Sequence, residues 1–468
     1  MNTLVACGHS APTLHIPSNQ MPSVEIAELR ALALRTIDGA TRDLISAART
    51  VYSTPETGFN EFKTSAFIQE QLQSLGFVVE TGIARTGMRA ELRGANPGPT
   101  VAVIAELDAL RVPSHPGADP ESGAAHACGH HAQTGSLLGV ATALSAPELK
   151  NALSGNVAFI ITPAEEFIEI QDRLALKGSR ELEFLSGKQE MIRLGTFDDV
   201  DMAMMVHTSA GNGDAGLSIG GTSSAHVSHQ VKYVGKSSHA GGAPDKGVNA
   251  LQAAMLANAA INTQRETFLE SDVVRVHGII SNGGSSVNAV PDEVLYEGRV
   301  RAKSVETIEA ISEQVIRCYW AGALAMGASV EIQEIAGYHA LKQNSTMKKQ
   351  FVANAELILG RDSISVVPDD QTHGGSTDMG DLSTIMPVIH PYANAASGAA
   401  HGHDYLIDDY DRAVVAPAKV MTATILDLLG NNAQLARETV DKHEPSMTAE
   451  QYVATQRERF KTQTYDQS

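Results

Sequence analysis

The chain has 468 residues, of which 43% are hydrophobic and 19% are charged, and its formal net charge is −19. Because a chain of this length exceeds one simple core, we expect two domains. The acidic balance excludes nucleic acid and an anionic membrane surface as partners, since both bind proteins through an excess of lysine and arginine.

The N-terminal quarter predicts a loose arm followed by helices. Residues 1–20 are rich in serine, proline and histidine, which is typical of an unpacked terminus. Apolar residues then recur at helical spacing over 24–51 and again over 62–75. The second pattern stops at Gly76, as a helix does at a glycine cap.

Three short apolar runs follow and predict strands that are buried on both faces. They lie at residues 101–105, 156–161 and 202–206. A stretch of small apolar residues at 135–144 predicts a helix between the first two strands. This order indicates a parallel sheet covered by helices, with ligand-binding residues beyond the carboxyl ends of its strands.

The sequence changes in character near residue 223. Strand and helix patterns then follow in the order β-α-β-β-α-β, at 226–234, 248–261, 273–280, 293–301, 305–326 and 329–335. That order is ferredoxin-like and indicates an inserted domain. The predicted fold is α/β, with a mixed, mainly parallel catalytic sheet and an inserted α+β lid or dimerisation domain. The predicted domains are 22–222 and 338–430 (catalytic), 223–337 (insert) and 431–468 (a polar C-terminal tail).

Cysteine usage and the chain start bear on the compartment. Three cysteines are scattered at positions 7, 128 and 318, too few for a disulfide framework. The N-terminus shows neither a basic leader nor a sustained apolar run, and no stretch approaches the ~20 apolar residues of a membrane span. We therefore predict a cytoplasmic protein without a membrane partner.

The most informative motif is HACGHH at residues 126–131, just past an apolar strand. The Cys128 thiolate and the His130 imidazole can face one point, and this donor pair suits a zinc-like or manganese-like ion. Cysteines are more often inert core residues, so the pair alone is weak evidence. The histidines and glutamates that follow it are what predict a metal-dependent hydrolase.

Carboxylates follow the first two predicted strands. Asp108, taken together with the downstream motif, is expected to orient a ligand histidine. Glu165 and Glu166 follow the second strand, and adjacent carboxylates can divide the work between metal binding and proton transfer from water. Burial and the neighbouring carboxylate are expected to raise the pKa of such a base toward neutrality.

Further histidines are ambiguous when each is taken alone. His207 follows the third strand, where a histidine is as often structural as a ligand. His401 and His403 share a loop of small residues, and we expect one of them to be a ligand. His239 lies in a glycine-rich loop and Asn288 in a polar loop, and each is more often a plain loop residue than a functional one.

In order along the chain, the motifs resemble those of a known family. They include AELDAL, HACGHH, TPAEEF, GKSSHAGGAPDKGVNAL, NGGSSVNAVPDE and HGGSTDMGDLS. The chain resembles the metal-dependent amidohydrolases and peptidases that include aminoacylases, auxin-conjugate hydrolases and aminobenzoyl-glutamate hydrolase. The resemblance covers roughly residues 26–429 and looks closest to the aminobenzoyl-glutamate hydrolase and dipeptidase-like branch.

This resemblance implies hydrolysis of an amide bond between an acyl or aminoacyl group and an amino acid. The substrates it implies are N-acyl amino acids, aminobenzoyl-glutamate-like amides and dipeptides. Two divalent ions, zinc or manganese, would be held by Cys128, His130, Glu166, His207 and His401. His401 is favoured over His403 because its spacing to Tyr405 matches the family.

The resemblance also assigns roles to the remaining site residues. Glu165 would be the general base. The insert would form a homodimer in which His239 crosses into the partner's active site and steadies the developing oxyanion. Asn288 and Arg301 would hold the carboxylate end of the substrate, a task that suits the bidentate guanidinium of arginine.

Two departures from the family bear on the substrate. Many relatives carry aspartate where this chain has His131, so Asp108 or His131 must do the orienting work. The segment 168–186 is longer than expected and could reshape the pocket. Two alternatives remain open: a thiol hydrolase with Cys128 as nucleophile, and a non-catalytic binding protein for amino-acid conjugates, to which only His131 points.

Overall fold

The computed structural model describes residues 23–211 and 215–466, so the arm predicted at residues 1–20 lies outside the described residues. The helices are α1 Ser23–Tyr52, α2 Phe62–Ser74, α3 His130–Leu144, α4 Pro147–Asn151, α5 Ile170–Gly178, α6 Gly187–Arg193, α7 Ala250–Gln264, α8 Val305–Met326, α9 Ser345–Leu359, α10 Met379–Ile385, α11 Ala416–Leu429, α12 Gln434–Asp441 and α13 Ala449–Glu458.

The strands are β1 Val79–Ile83, β2 Gly87–Arg93, β3 Asn96–Glu106, β4 Leu110–Arg111, β5 Ala124–Ala125, β6 Ser154–Thr162, β7 Met202–Met204, β8 His207–Ser209, β9 Leu217–Ser223, β10 Ala225–Val234, β11 Arg275–Asn282, β12 Glu293–Ala302, β13 Ser329–Ala336, β14 Ile364–His373, β15 Val388–Ile389, β16 Tyr392–Asn394, β17 Ala396–Ser397, β18 Leu406–Ile407 and β19 Lys461–Tyr465. The helices and strands predicted from apolar spacing are confirmed, and residues 24–51 belong to a single helix.

The main sheet has six strands in the order β1-β2-β6-β3-β7-β15. Neighbours from β6 to β15 run parallel, whereas β1 and β2 are antiparallel additions at one edge. Helices cover both faces of this sheet. Alternate residues of β3 therefore pack into two different hydrophobic cores, one on each face. Val101, Val103 and Ala105 share one core with residues of α1, α3 and α11, while Ala102 and Ile104 share another with residues of α6 and α10. The mixed α/β fold explains why these strands are apolar throughout.

A smaller sheet adjoins the carboxyl ends of these strands, with the order β14-β9-β16-β8. Its strands β8 and β16 run parallel, so that Tyr392 lies opposite His207. In the chain, β8 follows β7 and β16 follows β15, so this sheet lies beside the carboxyl ends of the main strands.

The segment between β9 and α9 forms a second sheet with two helices. Strands β10 to β13 are antiparallel in the order β11-β12-β10-β13. Residues of α7 and α8 share a separate hydrophobic core with one face of this sheet, for example Ala253 and Val315 with Val231 and Val300. The opposite face carries polar and charged side chains.

The polar C-terminal segment has more structure than its composition suggests. Beyond residue 430 it forms α12, α13 and β19, and β19 pairs antiparallel with β13 to extend the sheet of β10 to β13 to five strands. Tyr452 and Gln456 of α13 are fully buried, and so few buried positions leave no clear apolar periodicity in the sequence.

No single helix among the described residues is long and apolar enough to cross a membrane. The segments Asp411–Leu429 and Asn431–Asp441 pass such a test together by length and composition only, with a bend of 66° between them.

Candidate metal centre and active site

The predicted site residues converge where the parallel strands end. Asp108 follows β3, Glu165 and Glu166 follow β6, and His207 begins β8 directly after β7. Cys128 precedes α3, whose first residue is His130. The carboxyl edge of an open parallel sheet is the place where such folds bind ligands.

Two sets of three donor atoms meet there, each set lying within 4.8 Å. One consists of Cys128, His130 and His207, and the other of Cys128, Glu166 and His401. The Cys128 Sγ atom belongs to both and lies 3.4 Å from His207 Nε2, while His401 Nε2 lies 3.1 Å from Glu166 Oε1. A thiolate, three imidazoles and a carboxylate fit two divalent cations.

The bonding of these atoms supports that fit. His130 Nε2 is buried, lies 3.2 Å from Glu106 Oε2 and makes no hydrogen bond of good geometry within the described part of the chain. Burial and Glu166 oppose ionisation of the Cys128 thiol, but His207 and His130 outweigh them and lower its pKa to about 6. This lowered pKa favours the thiolate, which is the form of cysteine that serves as a metal ligand.

Asp108 contacts two of the candidate ligands, His130 and Glu166. Its backbone carbonyl lies 2.8 Å from His130 Nδ1, and its Oδ1 atom lies 3.2 Å from the same nitrogen. Its Oδ2 atom accepts a hydrogen bond of 2.9 Å from the Glu166 backbone N–H. These contacts direct His130 Nε2 toward the donor cluster, which is the orienting task predicted for this carboxylate.

The glycine of the HACGHH motif allows this close arrangement. Gly129 has φ +98° and caps α3. A Cβ atom at this position would lie 1.9 Å from Thr208 Oγ1. Only glycine fits here, and it lets Cys128 and His130 turn toward the same point.

The Glu165–Glu166 turn is held in a strained conformation. Ala164 has φ +49°, and its backbone N–H donates to Glu61 Oε1 at 2.8 Å. Burial, with the charges of Glu106 and Glu166, raises the pKa of Glu165 well above its ordinary value. Burial has the same tendency at Glu166, but His401 overcomes it and lowers the pKa of Glu166 to about 2. The environment therefore shifts the pKa values of these two neighbouring carboxyl groups in opposite directions.

The C-terminal loop presents His401 and not His403 to the cluster. His401 has φ +65°, and its backbone N–H donates to the Ala127 carbonyl at 2.9 Å, which ties the loop to the HACGHH segment. His403 is exposed and belongs to neither donor set.

A buried ionic network beside the cluster went unnoticed in the sequence. Glu106, His130 and Glu165 form a third set of close donors. The Lys188 ammonium contacts both Glu106 and Asp378, and all three side chains are fully buried. Glu106 and Asp378 lie in the quoted AELDAL and HGGSTDMGDLS motifs and Lys188 lies outside the quoted motifs. Nothing in the spacing shows that this lysine meets two acids that are 82 and 190 positions away.

His131, which replaces the aspartate of many relatives, faces away from the donor cluster. Its ring packs 5.0 Å from Tyr52 and 5.3 Å from His126, and its Nε2 atom lies 3.2 Å from the Tyr410 hydroxyl. Burial lowers its pKa to about 3, so it is a neutral packing residue. Of the two residues, it is Asp108 that contacts His130 Nδ1.

Of the remaining predicted residues, Arg301 lies at the cleft beside the donor cluster, whereas His239 and Asn288 do not. Arg301 lines a cleft of about 1260 Å³ that lies between the donor cluster and the insert, and it donates to Ser376 Oγ at 2.7 Å. His239 and Asn288 are exposed and do not line this cleft. Ile168, the first residue of the long segment 168–186, and the preceding Phe167 do line it.

The comparisons with known proteins agree with this architecture. Residues 102–427 match the model of the peptidase family M20/M25/M40. The chain belongs to this family. The family prediction from the sequence motifs is therefore confirmed, and the protein is a hydrolase of the M20/M25/M40 group.

Individual relatives span most of the chain. The Xaa-Arg dipeptidase of Mus musculus is 30% identical over 435 residues, which are 88% of this chain and 92% of that protein. The N-acyl-L-amino acid amidohydrolase of Geobacillus stearothermophilus is 29% identical over 314 residues, which are 65% and 79% of the two chains. A dinuclear metal binding peptidase of the M20 family from Bacillus subtilis shares the fold, with a TM-score of 0.61 at 22% identity over 84% of this chain and 99% of that one.

Proposed function

We propose that this M20-family protein hydrolyses the amide bond between an acyl or aminoacyl group and a free amino acid. The observation that carries the proposal is the pair of donor sets sharing Cys128, with the buried Glu165 beside them at the floor of a large cleft. The relatives named as a dipeptidase and as an N-acyl-amino-acid amidohydrolase act on bonds of this type.

Two divalent ions, zinc or manganese, are the proposed cofactors. One would be held by Cys128, His130 and His207, and the other by Cys128, Glu166 and His401. When bound, such ions polarise an amide carbonyl and lower the pKa of water. The thiolate and imidazoles suit zinc, while the carboxylate and imidazoles also suit manganese.

Glu165 is the proposed general base. Its carboxylate Oε2 lies 4.0 Å from His130 Nε2 at the edge of the donor cluster, and no lysine or arginine forms an ion pair with it among the described residues. Its raised pKa lets it take a proton from the attacking water and give it to the leaving nitrogen. The Tyr338 hydroxyl donates to its backbone carbonyl and fixes the turn that carries it.

The substrate's carboxylate is proposed to bind Arg301, which faces the cleft. We further propose that residues 223–337 are a ferredoxin-like lid and dimerisation domain, inserted in a catalytic domain of residues 22–222 and 338–430. In the proposed homodimer, His239 and Asn288 reach the active site of the second copy. Their exposure and their distance from this chain's own cleft support that arrangement.

Hydrolysis of a conjugate panel tests the function. Aminobenzoyl-glutamate, N-acetyl amino acids, aromatic amide conjugates and dipeptides are offered to the chelated protein and again after manganese or zinc is added. We expect turnover that is restored only by metal. Absence of turnover across the metal-loaded panel would contradict the proposal and favour a binding protein for amino-acid conjugates.

The same experiment addresses the thiol alternative. Cys128 Sγ lies 3.4 Å from His207 Nε2, which is also the geometry of a cysteine with an adjacent base. Turnover by the fully chelated protein would support Cys128 as nucleophile. The second donor set, with Glu166 and His401, has no role in such a mechanism and favours metal.

A further inference from the structure

The buried network of Glu106, Lys188 and Asp378 has no part in the proposed reaction, although it adjoins the donor cluster. Its side chains come from the end of β3, from α6 and from the residue before α10. Replacing a buried ionic network with packed apolar side chains is often neutral or stabilising, so stability alone does not explain it. Its position beside the cluster indicates a role in the site.

One member of the network, Glu106, also belongs to a group of atoms that could hold a metal ion. We define the third donor set as Glu106, His130 and Glu165, whose donor atoms lie within 4.8 Å of one another. Glu106 Oε2 lies 3.2 Å from His130 Nε2, and Glu165 Oε2 lies 4.0 Å from the same nitrogen. Two carboxylates and an imidazole suit zinc or manganese. The third donor set can therefore compete with the two sets that contain Cys128.

An ion in the third donor set would be incompatible with the proposed centre. His130 also belongs to the set with Cys128 and His207, and each nitrogen of an imidazole binds one ion. The other ring nitrogen of His130 faces Asp108. Such an ion would also occupy Glu165, the proposed base, which could then not accept a proton from water. The proposed centre therefore requires that Glu106 does not bind metal.

Both carboxylate oxygens of Glu106 are bound by other groups of the protein. The Lys188 ammonium donates to Oε1, and the Gln133 side-chain amide donates to Oε2 at 2.8 Å. Gln133 Oε1 in turn accepts a hydrogen bond of 3.0 Å from the Glu106 backbone N–H. Hydrogen bonds between an ammonium and a carboxylate are among the stronger ones in proteins, and burial strengthens them further. They oppose any movement of Glu106 toward a metal ion.

Asp378 holds Lys188 in this position. Its Oδ1 atom accepts a hydrogen bond from the Lys188 ammonium. Its Oδ2 atom accepts one of 3.1 Å from the Lys188 backbone N–H and one of 2.7 Å from Ser186 Oγ. Burial opposes the charge on Lys188, but Asp378 and Glu106 outweigh burial and raise the pKa of the ammonium. Lys188 is therefore a fixed cation beside Glu106.

We propose that Lys188 is a positioning residue that holds Glu106 and keeps it from binding metal. His130 is thereby reserved for the set that contains Cys128, and Glu165 stays free to accept a proton. This inference rests on the proposed metal centre and adds to it a residue that acts through Glu106. Removal of the lysine should release Glu106 and draw an ion into the third donor set, which contains no sulfur atom.

Cobalt binding distinguishes the donor sets, because a thiolate ligand gives cobalt(II) a charge-transfer absorption that carboxylates and imidazoles do not give. The full-length chelated protein is titrated with cobalt(II), with equilibrium dialysis to count the bound ions. The test variant combines Lys188→Met with Asp378→Asn, so that one positive and one negative charge are removed together. We expect the thiolate band per bound ion to fall to roughly half of its wild-type intensity, since one of two ions loses its sulfur ligand.

Two matched variants assign the spectral change to Glu106. Asp378→Asn alone leaves the ammonium on Glu106 and should keep the wild-type spectrum. Addition of Glu106→Gln to the double variant removes the competing carboxylate and should restore the thiolate band, which general structural damage would not allow. The proposal would be overturned by a wild-type band in the double variant, by an equal loss in Asp378→Asn alone, or by no recovery in the triple variant.

A variant without any charge change carries the test if circular dichroism shows that the double variant does not fold. Gln133→Met frees Glu106 Oε2, the oxygen that faces His130, and should cause a smaller loss of the thiolate band. A wild-type band in this variant would then count against the proposal.

The same spectra separate this inference from the proposed function, because no substrate is used. A wild-type protein that binds cobalt without a thiolate band would refute the proposed metal centre and, with it, the role of Lys188. A wild-type band that persists in every variant would refute only the role of Lys188. Absence of turnover on the conjugate panel would leave the spectral result for Lys188 standing.

Discussion

The donor cluster and the His239–Asn288 loops differ in how completely one chain builds them. In the cluster, five side chains from four separate segments of the chain form two sets of donors that share the Cys128 sulfur, with the atoms of each set within 4.8 Å of one another. In the loops, His239 Nδ1 accepts hydrogen bonds from the N–H groups of Gly241 and Gly242, and the Asn288 carbonyl accepts one from Ala240. One chain therefore brings all the donor atoms of the cluster together, whereas His239 and Asn288 of the same chain do not line the cleft beside that cluster.

The difference follows from what holds each region. The carboxyl ends of parallel strands lie at the same edge of a sheet, so the side chains that follow them come together within one chain. The loops belong to the segment that carries β10 to β13, which has a hydrophobic cluster of its own. Their internal hydrogen bonds fix the shape of the loops but do not bring them against the donor cluster. We therefore expect single substitutions in the cluster to lower activity within each chain. Any contribution of the loops to activity should instead require the proposed homodimer.

The largest expected effect tests the cluster. Glu165→Gln keeps the size of the side chain but removes the proton acceptor, so we expect kcat to fall by about 10³-fold. Metal content, measured by atomic absorption, should stay at the wild-type value because Glu165 is outside both proposed ligand sets. A variant with wild-type turnover would disprove the assignment of the base.

The next effect tests the loops. His239→Ala removes the proposed oxyanion donor, and we expect a loss in kcat of about 10²-fold, typical of a single such donor. Mixing it with Glu165→Gln should restore about a quarter of wild-type activity, since random two-fold assembly gives half heterodimers with one intact site each. Mixtures without any recovery would show that His239 does not act across an interface.

A smaller effect tests the support beneath the ligands. Asp108→Asn retains the shape but loses the charge that faces His130, and the expected loss in metal affinity is about tenfold. Competition with a chromophoric chelator measures it, and the exposed Asp362→Asn is the matched control. Unchanged affinity would mean that the backbone carbonyl of Asp108 orients His130 alone.

The smallest effect tests the departure from the family pattern. His131→Asn removes an aromatic packing residue that contacts Tyr52, His126 and Tyr410 and no ligand side chain. We expect a change in metal affinity below the tenfold change of Asp108→Asn, with a modest loss in thermal stability. A loss of affinity equal to that of Asp108→Asn would place His131 in the support of the metal.

Sequence patterns were sufficient for the elements and for most of the cluster. Apolar runs located β3, β6 and β7, and the residues just beyond them are those that converge. The pattern did not reveal α13 or β19, because a helix on the surface of a finished core buries only a few side chains. It also left out Glu106 and Lys188, whose meeting depends on contacts across 82 positions of the chain.

By itself, the sequence determined the fold class, the family and the donor types, because these follow from local periodicity and from motifs a few residues long. Only the tertiary structure decided that His401 and not His403 joins the donors, that Asp108 and not His131 supports them, and that His239 stays outside the cleft of its own chain. Each of these depends on where distant segments come together, through backbone conformations such as the positive φ of His401 that no spacing encodes.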